Sequence, residues 1–356
     1  MDFTFSDDQI VFRDSVSRFL MTEAAPEMLR EIWETDAGRS PELRGKIAAQ
    51  GLTGLSVPEA AGGLGLGDID WALMTQELGY FAIPDSLTDT AYVAAGLLSG
   101  LPEGHALRAA WLPRIVDGSC RIAVGHPVNP LVADAHLADL LLLPHATAQG
   151  LELHAVPGTA VAVTPQRSID ASRRLASVEW TPASDTLAAD APLGQRLWDQ
   201  ALERGALCVA GQLIGLAQRM LDVSVDYAAQ RKQFGKPIGS FQAVKHHLAD
   251  VVTKIEFAKP VLYRAVYALA QGEAKTAALV SHAKLVCGEA ALLAARKGIQ
   301  VHGAMGYTWE VDLQMFMKRA WALDAAWGDR IFHQARLSDS LLGDPADAAI
   351  GPGSTF

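Results

Sequence analysis

The amino-acid sequence predicts a multidomain α+β protein that is mostly helical. Apolar residues recur at helical spacing along both ends of the 356-residue chain, whereas short apolar runs separated by turn residues fill its middle. Half of the residues are hydrophobic and a fifth are charged, so the chain can bury a sizeable core. We therefore expect an N-terminal helical domain over 1–118, a small middle β-domain over 119–190, a C-terminal four-helix bundle over 191–345 and a tail over 346–356.

The predicted N-terminal domain opens with Ser6, a suitable N-cap, followed by two acids that favour the first turn of a helix. Ser40 before Pro41 gives a second helix start. The glycine-dense loop over 57–67 follows no strand of a βαβ unit, so it is a poor dinucleotide-binding fingerprint and we expect a tight connection. Further helices are expected over 41–51, 71–80 and 86–116.

The predicted middle domain contains short apolar runs between Cys120 and Thr181, with prolines and other turn residues between them. Runs of this length and spacing are typical of strands in a small β-domain. We expect strands over 122–124, 138–143, 151–153, 161–163 and 178–180.

The predicted C-terminal bundle consists of four long helical segments over 194–232, 240–271, 273–304 and 309–341. Long helices of this kind have wide apolar faces, so association with further chains is a reasonable expectation.

A short basic turn over 231–242 separates the first two of these segments. Gly235 and Pro237 break the helical pattern, and Ser240 is the expected N-cap of the next helix. A turn that offers Arg231, backbone N–H groups and an aromatic ring suits an anionic, partly aromatic ligand. The alternative is a solvated basic loop in a helical hairpin.

Composition excludes several function classes. A net charge of −10 argues against a general nucleic-acid binder. Cys120, Cys208 and Cys287 are scattered in apolar settings, so we expect three buried structural thiols and no metal site. The N-terminus resembles no secretory signal, and no apolar run approaches the roughly 20 residues that span a bilayer. We expect a cytoplasmic protein without a membrane span.

Several motifs follow one another in a fixed order along nearly the whole chain. They are Phe3-Thr4-Phe5-Ser6, Val57-Pro58-Glu59 with Gly62-Gly63-Leu64-Gly65, Glu77-Leu78-Gly79, Arg231-x-x-Phe234-Gly235 with Gln242, and Gln300-x-x-Gly303-Ala304-x-Gly306-Tyr307. Together they resemble the acyl-CoA dehydrogenases, flavoproteins that desaturate acyl-CoA thioesters between Cα and Cβ. Thr308-Trp309-Glu310 resembles a short-chain subgroup of that family. The resemblance implies the family's order of helical, β and helical domains.

The resemblance also implies FAD as the cofactor, bound between two protomers in this family. One protomer holds the adenosine diphosphate and the other cradles the isoalloxazine ring. The diphosphate half is present here, because Arg231 would pair with the pyrophosphate, a role for which Lys is no equal substitute. The remaining residues implied for this half are Phe234, Gln242, Gln300, Gly303 and Ala304, the last in place of a usual glycine.

The isoalloxazine half is expected to be incomplete. The family's Thr-Glu-Pro-x-x-Gly-Ser-Asp run and its later Trp-Ile-Thr strand have no counterpart, since 124–130 leads almost directly to 132–139. Trp180, the only tryptophan of the β region, lies at the wrong place. A flavin-contacting loop and strand are therefore expected to be deleted; sequence drift that hides an equivalent loop is the alternative.

The catalytic base of the family is a glutamate that removes the α-proton of the thioester. At its commoner position this chain has Trp327 or Gly328. The neighbouring Asp329 is the best surviving candidate, with a solvated or cofactor-facing acid as the alternative.

The family's other base position falls on Gly205, in the helix before the basic turn. Glu203 lies about 200° around that helix and should face elsewhere. Ala206 stands where an arginine that contacts CoA is frequent. With the loss at the commoner position, three independent changes indicate that the chain lacks its own catalytic machinery.

Three hypotheses follow from the resemblance. In the first, the chain is the non-catalytic subunit of an α2β2 acyl-CoA dehydrogenase, like the heteromers of actinobacterial steroid side-chain degradation, with electrons passing to an electron-transferring flavoprotein. In the second, the chain is a self-sufficient homo-oligomer that uses Asp329 as its base. In the third, it is a scaffold that binds no flavin; the joint presence of Arg231, Phe234, Gln242 and Gln300 weighs against this.

Overall fold

The computed structural model describes residues 4–343. Helices occupy both ends of this range and strands its middle, which confirms the predicted order of helical, β and helical regions. The predicted tail over 346–356, and Phe3 of the opening motif, lie outside the described residues.

The helices begin and end close to the predicted positions. In the described range they are α1 (Asp7–Glu23), α2 (Pro26–Glu34), α3 (Pro41–Ala49), α4 (Asp68–Tyr80), α5 (Ala95–Ser99), α6 (Ala106–Val116), α7 (Ala191–Gln230), α8 (Gln242–Gln271), α9 (Thr276–His302), α10 (Leu313–Asp324) and α11 (Arg330–Leu342). Ser6 caps α1 through a capping box with Gln9, and Ser40 caps α3, both as predicted.

The strands overlap every predicted run and add four that the sequence did not indicate, β2, β7, β8 and β9. They are β1 (Ile122–Val124), β2 (Val132–Ala133), β3 (Leu140–Thr147), β4 (Gly150–Pro157), β5 (Ala162–Gln166), β6 (Leu175–Glu179), β7 (Leu187–Ala189), β8 (Lys232–Gln233) and β9 (Lys236–Pro237).

The described chain divides into two compact units. The first takes residues 4–26, 69–83 and 206–343, and the second takes residues 27–68 and 84–205.

Helix α9 lies at the centre of the first unit, where α8, α10 and α11 pack against it. Its small side chains let three neighbours approach at once, as shown by Gly288, where a β-carbon would overlap Oδ1 of Asp324 on α10. The residues buried along α9 include Ala283, Cys287, Ala290, Ala291, Ala294 and Ala295.

A close crossing of α4 and α7 also belongs to the first unit. At Gly79 on α4, and at Gly211 and Gly215 on α7, an added β-carbon would overlap atoms of the opposite helix. The backbones can therefore approach only because these positions are glycine.

The second unit contains two sheets. One has the strand order β1-β3-β4-β7 and the other β2-β6-β5. Strands β1 and β3 pair in parallel, with Ile122 opposite Leu140, whereas β3 and β4 form a hairpin. Seven apolar residues form the buried core at these sheets: Ala123, Val132, Ala135, Leu141, Leu143, Val156 and Ala176.

Buried ion pairs add to the second unit. Arg39 donates to both carboxylate oxygens of Asp134, at 2.8 Å from Nε and 2.5 Å from Nη2. Arg44 and Arg121 donate to the two oxygens of Asp85, at 2.7 Å and 2.9 Å. Burial alone would raise the pKa of Asp85, but the arginines outweigh it and hold the pKa at about 2.

Two predictions about the last domain are wrong. The expected fourth helix over 309–341 is two helices, α10 and α11, because Trp327 and Gly328 have φ values of +54° and +94° that a right-handed helix cannot contain. Ser240 does not cap α8; its hydroxyl donates to the carbonyl of Pro237 at 2.7 Å, and Phe241 takes the N-cap position.

All three cysteines are free and buried, as predicted. Burial raises the pKa of Cys120 to about 11 and that of Cys287 to about 12, so both thiols stay protonated at neutral pH.

Two described helical stretches, Ala191–Gln230 and Thr276–Tyr307, are long and apolar enough to cross a membrane by length and composition. Most of each apolar window, 78% and 61%, is buried inside the protein. Core helices of soluble proteins pass the same test, so neither stretch indicates a span.

Candidate functional site

The basic turn folds as a two-stranded hairpin at the end of α7. Strands β8 and β9 pair through Gln233 opposite Lys236, which leaves Phe234 and Gly235 as the two loop residues. Both have positive φ, +53° and +78°, as a type I′ turn requires. Glycine adopts this backbone freely, but phenylalanine does so at a cost of about 1 kcal/mol or more.

The strained phenylalanine contributes little to the fold. The Phe234 side chain is 90% exposed. Its ring lies edge-on to that of Phe241, with centroids 6.1 Å apart. The Lys236 ammonium lies over the Phe241 ring, 4.5 Å from its centre. A strained, exposed aromatic residue is better explained by binding than by folding.

The second predicted segment is the end of α9 and the turn after it. Gly303 ends the helix with φ 61° and ψ −136°, a backbone that suits glycine alone. Gly306 folds back so tightly that a β-carbon there would lie 3.0 Å from Cα of Ile299. The ring of His302 bonds to the Gly298 carbonyl through Nδ1 at 2.9 Å.

Tyr227 joins the two segments. Its ring stacks on that of His302, with centroids 4.2 Å apart and planes 23° from parallel. The N–H of Arg231 donates to the Tyr227 carbonyl at 2.8 Å, and the Arg231 carbonyl accepts from Ile238 at 2.8 Å. Tyr227 was not predicted from the sequence, although its position one turn before Arg231 on an amphipathic helix was a usable signal.

Burial favours the neutral form of the His302 imidazole. Loss of hydration lowers the pKa of this imidazole, and the bond to the Gly298 carbonyl only partly opposes the shift. The ring is therefore neutral at pH 7 and stacks on the phenol without a buried charge.

The six residues predicted to bind FAD all lie on the surface of the first unit: Arg231, Phe234, Gln242, Gln300, Gly303 and Ala304. Within residues 4–343, the side chains of Arg231, Gln242 and Gln300 make no hydrogen bond to protein. Their polar groups are thus available to a ligand.

These residues suit the diphosphate half of FAD. The Arg231 guanidinium offers paired donors for phosphate oxygens. Around Gly303 no atom lies within 4 Å of an added β-carbon, so a ligand can approach the backbone of this turn.

At the commoner base position the chain forms the turn 325–329 between α10 and α11. Trp327 is only 5% exposed and has its φ at +54°. A β-carbon at Gly328 would overlap the rings of Phe332 and His333, so no larger side chain fits there. Asp329 is exposed and caps α11, since its carboxylate accepts from the Phe332 N–H at 2.8 Å.

Two buried side chains hold this turn. The Lys284 ammonium donates to the carbonyls of Asp324 at 2.7 Å and Gly328 at 3.3 Å. His333 bonds through Nε2 to the Trp327 carbonyl at 2.9 Å and through Nδ1 to Ser281 at 3.1 Å. Burial lowers the pKa of His333 to about 4, so the imidazole is neutral at pH 7.

The other base position offers no carboxylate either. Gly205 is buried in α7, as is Ala206, which is fully buried. Glu203 is 7% exposed and engaged with other residues.

In the β region, β1 reaches β3 through residues 125–139 alone. This connection contains the two-residue strand β2 and a single turn of 3-10 helix over Ala135–Leu137. Asp134 is held in a left-handed conformation between them, with φ at +55°. The second half of this connection is thus occupied by β2, by this turn and by the ion pair of Asp134 with Arg39.

No group of three or more metal-ligating side chains occurs among residues 4–343.

Comparison with known proteins gives the family. A model described as "Acyl-CoA dehydrogenase, N-terminal domain" matches residues 6–119, and one described as "Acyl-CoA dehydrogenase, C-terminal domain" matches residues 194–339. The acyl-CoA dehydrogenase IpdE2 of Mycolicibacterium smegmatis is 33% identical over 88% of this chain and 93% of its own length. The chain belongs to the acyl-CoA dehydrogenase family. Members of this family are FAD-dependent oxidoreductases that act on CH–CH bonds of acyl-CoA thioesters.

Two other relatives differ from this acyl-CoA dehydrogenase chain in length. FadE34 of Mycobacterium tuberculosis is 31% identical over 86% of this chain, but over only 43% of its own length. YngJ of Bacillus subtilis, a probable acyl-CoA dehydrogenase, is 26% identical over 96% of this chain and 100% of its own length. That alignment runs over 389 residues, more than the 356 of this chain, so YngJ has residues that this chain lacks.

Solved structures show the same fold. A chain of the ChsE4–ChsE5 complex from Mycobacterium tuberculosis matches with a TM-score of 0.86 and 22% identity, over 97% of this chain and 100% of that one. The predicted fold class is therefore confirmed as that of the acyl-CoA dehydrogenases.

Proposed function

We propose that this chain is the non-catalytic subunit of a heteromeric acyl-CoA dehydrogenase. It supplies the diphosphate half of an FAD site, and a partner subunit supplies the isoalloxazine cradle and the catalytic base. The observation that carries the proposal is the contrast between its two half-sites. The side chains of Arg231, Gln242 and Gln300 are exposed and make no hydrogen bond within the described residues, whereas the base position is filled by a buried tryptophan.

The diphosphate half-site is supported by how its parts are held. The Tyr227–His302 stack joins the end of α7, which leads into the Arg231 hairpin, to the end of α9, which leads into the Gly303 turn. Preorganised donors lose less entropy on binding. Arg231 would neutralise the diphosphate charge, Gly303 and Ala304 would admit it close to the backbone, and Phe234 would pack beside the cofactor.

The turn 325–329 supports the proposal that this chain has no catalytic base of its own. Asp329, the remaining acid, is a solvent-exposed helix cap whose carboxylate is already engaged by a backbone N–H. A base that removes the α-proton of a thioester needs a pKa raised by burial beside the substrate. These facts favour the heteromer over a homo-oligomer that uses Asp329.

A shared site is also supported by the lengths of the relatives. YngJ carries residues that this chain lacks, as expected if a flavin-contacting loop and strand are deleted here. IpdE2, in contrast, matches this chain over 93% of its own length. In FadE34 the matching part is less than half of the polypeptide, which leaves room for a second subunit in the same chain.

When bound, FAD supplies the oxidising chemistry of Cα–Cβ desaturation. This chain would position the cofactor through its diphosphate and exclude water from that end. We propose a bulky polycyclic acyl-CoA as the substrate class of the complex, an α2β2 assembly and an electron-transferring flavoprotein as acceptor. The likeness to a chain of the ChsE4–ChsE5 complex supports the fold required for such an assembly. A cytoplasmic location is part of the same proposal.

The test is the ratio of flavin to protein, measured by visible absorbance, for the chain purified alone and after co-expression with a second acyl-CoA dehydrogenase-like chain from the same genome. We expect a colourless protein alone and one FAD per two chains in the purified complex. One FAD per chain in the protein expressed alone would refute the shared site and return attention to Asp329. No flavin in either preparation would favour the scaffold.

A further inference from the structure

A cavity of about 300 Å³ lies within the second unit, and none of its lining residues belongs to the proposed flavin half-site. Its walls come from the start of α4, from the segment that leads into and through α5, and from α7. The lining residues that matter here are Asp68, Tyr92, Gly96, Ser99, Gln200 and Arg204. Ligand pockets commonly begin at about this volume.

An arginine held in a fixed position lies at this cavity. Nε of Arg204 is 3.3 Å from Oδ1 of Asp68, and the same oxygen accepts from the Tyr92 hydroxyl at 2.5 Å. The guanidinium lies 5.4 Å from the centre of the Tyr92 ring. The Tyr92 hydroxyl also bonds to the guanidinium, and the remaining N–H groups of Arg204 are donors beside the cavity.

Glycine makes room for this arginine. A β-carbon at Gly96 would overlap Nη1 of Arg204, so the guanidinium lies directly against the helix backbone. At Gly100, one turn later, a β-carbon would overlap the Leu197 side chain. The position of the guanidinium and the open volume beside it therefore depend on two small residues.

A second polar group at this wall lacks a partner. Ser99 lines the cavity, and its hydroxyl oxygen is buried without a hydrogen bond to any described residue. A buried hydroxyl without a hydrogen bond is destabilising. A polar ligand in the cavity would supply the missing partner once the Ser99 side chain turned toward it.

We infer that this cavity is a binding site for a small carboxylate. The N–H groups of Arg204 that Asp68 and Tyr92 do not engage would donate to the carboxylate oxygens. A compact apolar body would lie against Leu66 and the two glycines. Asp68 fixes the guanidinium, and its negative charge is balanced by the positive charge of Arg204.

Neither Gly205 nor Ala206, where the family's other base and its CoA-contacting residue are expected, lines the cavity. Gln200 and Arg204 are four residues apart and share one face of α7. Ala206, where the family's CoA-contacting residue is expected, lies about 200° around the helix from Arg204. Binding at the cavity should therefore not depend on flavin or on a partner subunit.

The experiment measures thermal unfolding of the full chain, alone, with benzoate and with its neutral isostere benzamide as probes. We expect benzoate to raise the melting temperature in a concentration-dependent manner and benzamide to leave it unchanged. Arg204→Leu should weaken benzoate binding about tenfold or more, since a charged hydrogen-bonding pair is lost. Arg204→Lys keeps the ion pair with Asp68 and should bind with intermediate affinity, which separates loss of binding from loss of folding.

A matched control is Arg196→Leu, a surface arginine on the same helix outside the cavity, which should bind benzoate like the parent. A crystal soaked with 4-bromobenzoate then locates the probe by the anomalous signal of bromine. Bromine at Arg204 supports the inference. An equal benzoate effect in the Arg204→Leu protein, no effect in the parent, or bromine elsewhere overturns it.

Discussion

The ring of Tyr227 stacks on that of His302, with centroids 4.2 Å apart, and so connects the Arg231 hairpin to the Gly303 turn. Tyr227 belongs to α7 and His302 to the end of α9, 75 residues later in the chain. The contact brings together two segments whose motifs are far apart in sequence, so that their residues form one surface. Because His302 is neutral at pH 7, the stack persists across the physiological range.

Replacing Arg231 tests the diphosphate clamp. In the co-expressed complex, Arg231→Ala should lower flavin occupancy sharply, because the diphosphate loses its charged partner. Arg231→Lys should recover only part of it, since an ammonium lacks the planar, paired donors of a guanidinium. Absorbance of the purified complex gives the occupancy, and Arg296→Ala, another exposed arginine of the first unit, is the control. Full occupancy in Arg231→Ala would reject the clamp.

Replacing Phe234 should separate binding from stability. Asn tolerates a positive φ, so Phe234→Asn should stabilise the chain by about 1 kcal/mol in urea unfolding. The same change should reduce flavin content of the complex, since the exposed ring is lost. A variant that is less stable than the parent would show that the Phe234 ring supports the fold.

Asp329 is predicted to act only as a helix cap. Asp329→Asn keeps a capping oxygen, so both stability and turnover of the complex should stay near the parent values. Asp329→Ala should lower the free energy of unfolding by about 1 kcal/mol, because the Phe332 N–H loses its acceptor. A fall in turnover of several orders of magnitude in Asp329→Asn would instead identify the catalytic base.

Lys284 is predicted to be a structural cation. Lys284→Met should destabilise the chain by about 2–4 kcal/mol, because buried carbonyls of the turn 325–329 lose a charged donor. Lys254→Met is the matched control: its partner Glu289 is exposed, so the loss should be about 0–1 kcal/mol. Urea unfolding of both variants measures the difference, and equal losses would contradict the proposed role.

His333 should make stability depend on pH. Its folded pKa of about 4 lies below the ordinary value of 6.5, so the unfolded chain binds more protons between these limits. Stability from this residue is therefore complete above pH 6.5 and is lost as the pH falls toward 4, by up to about 3 kcal/mol. His333→Gln should flatten the dependence of unfolding free energy on pH over this range. An unchanged slope would show that other groups cause the pH dependence of stability.

The order of elements was predictable because periodicity and turn residues carry it directly. The helix caps at Ser6 and Ser40 followed from local chemistry, as did most strands. The break between α10 and α11 was not predictable, since apolar spacing continues through 325–329 and the positive φ of Trp327 depends on Lys284 and His333, 43 and 6 residues away. Short strands such as β7 are fixed by neighbours in the sheet and have little pattern of their own.

The candidate site was also predictable only in part. Arg231, Phe234 and Gly303 were identified through motifs, because the chemistry of each position depends on a single residue type. Tyr227 and the cavity at Arg204 were missed, since each depends on which helices meet. The prediction that Ser240 caps α8 was wrong because a hydroxyl can donate to a nearby carbonyl as easily as it accepts from an N–H. Here the Ser240 hydroxyl donates to the Pro237 carbonyl.

The exposure of Arg231, Gln242 and Gln300 has an evolutionary consequence. Since these side chains make no hydrogen bonds within the described fold, replacing any of them would leave folding almost untouched. Selection for stability cannot keep them in place, and only selection for binding can. In a lineage that lost the partner subunit, these positions would drift first, while Tyr227 and His302, which also pack the helices, would persist longer as a record of the lost site.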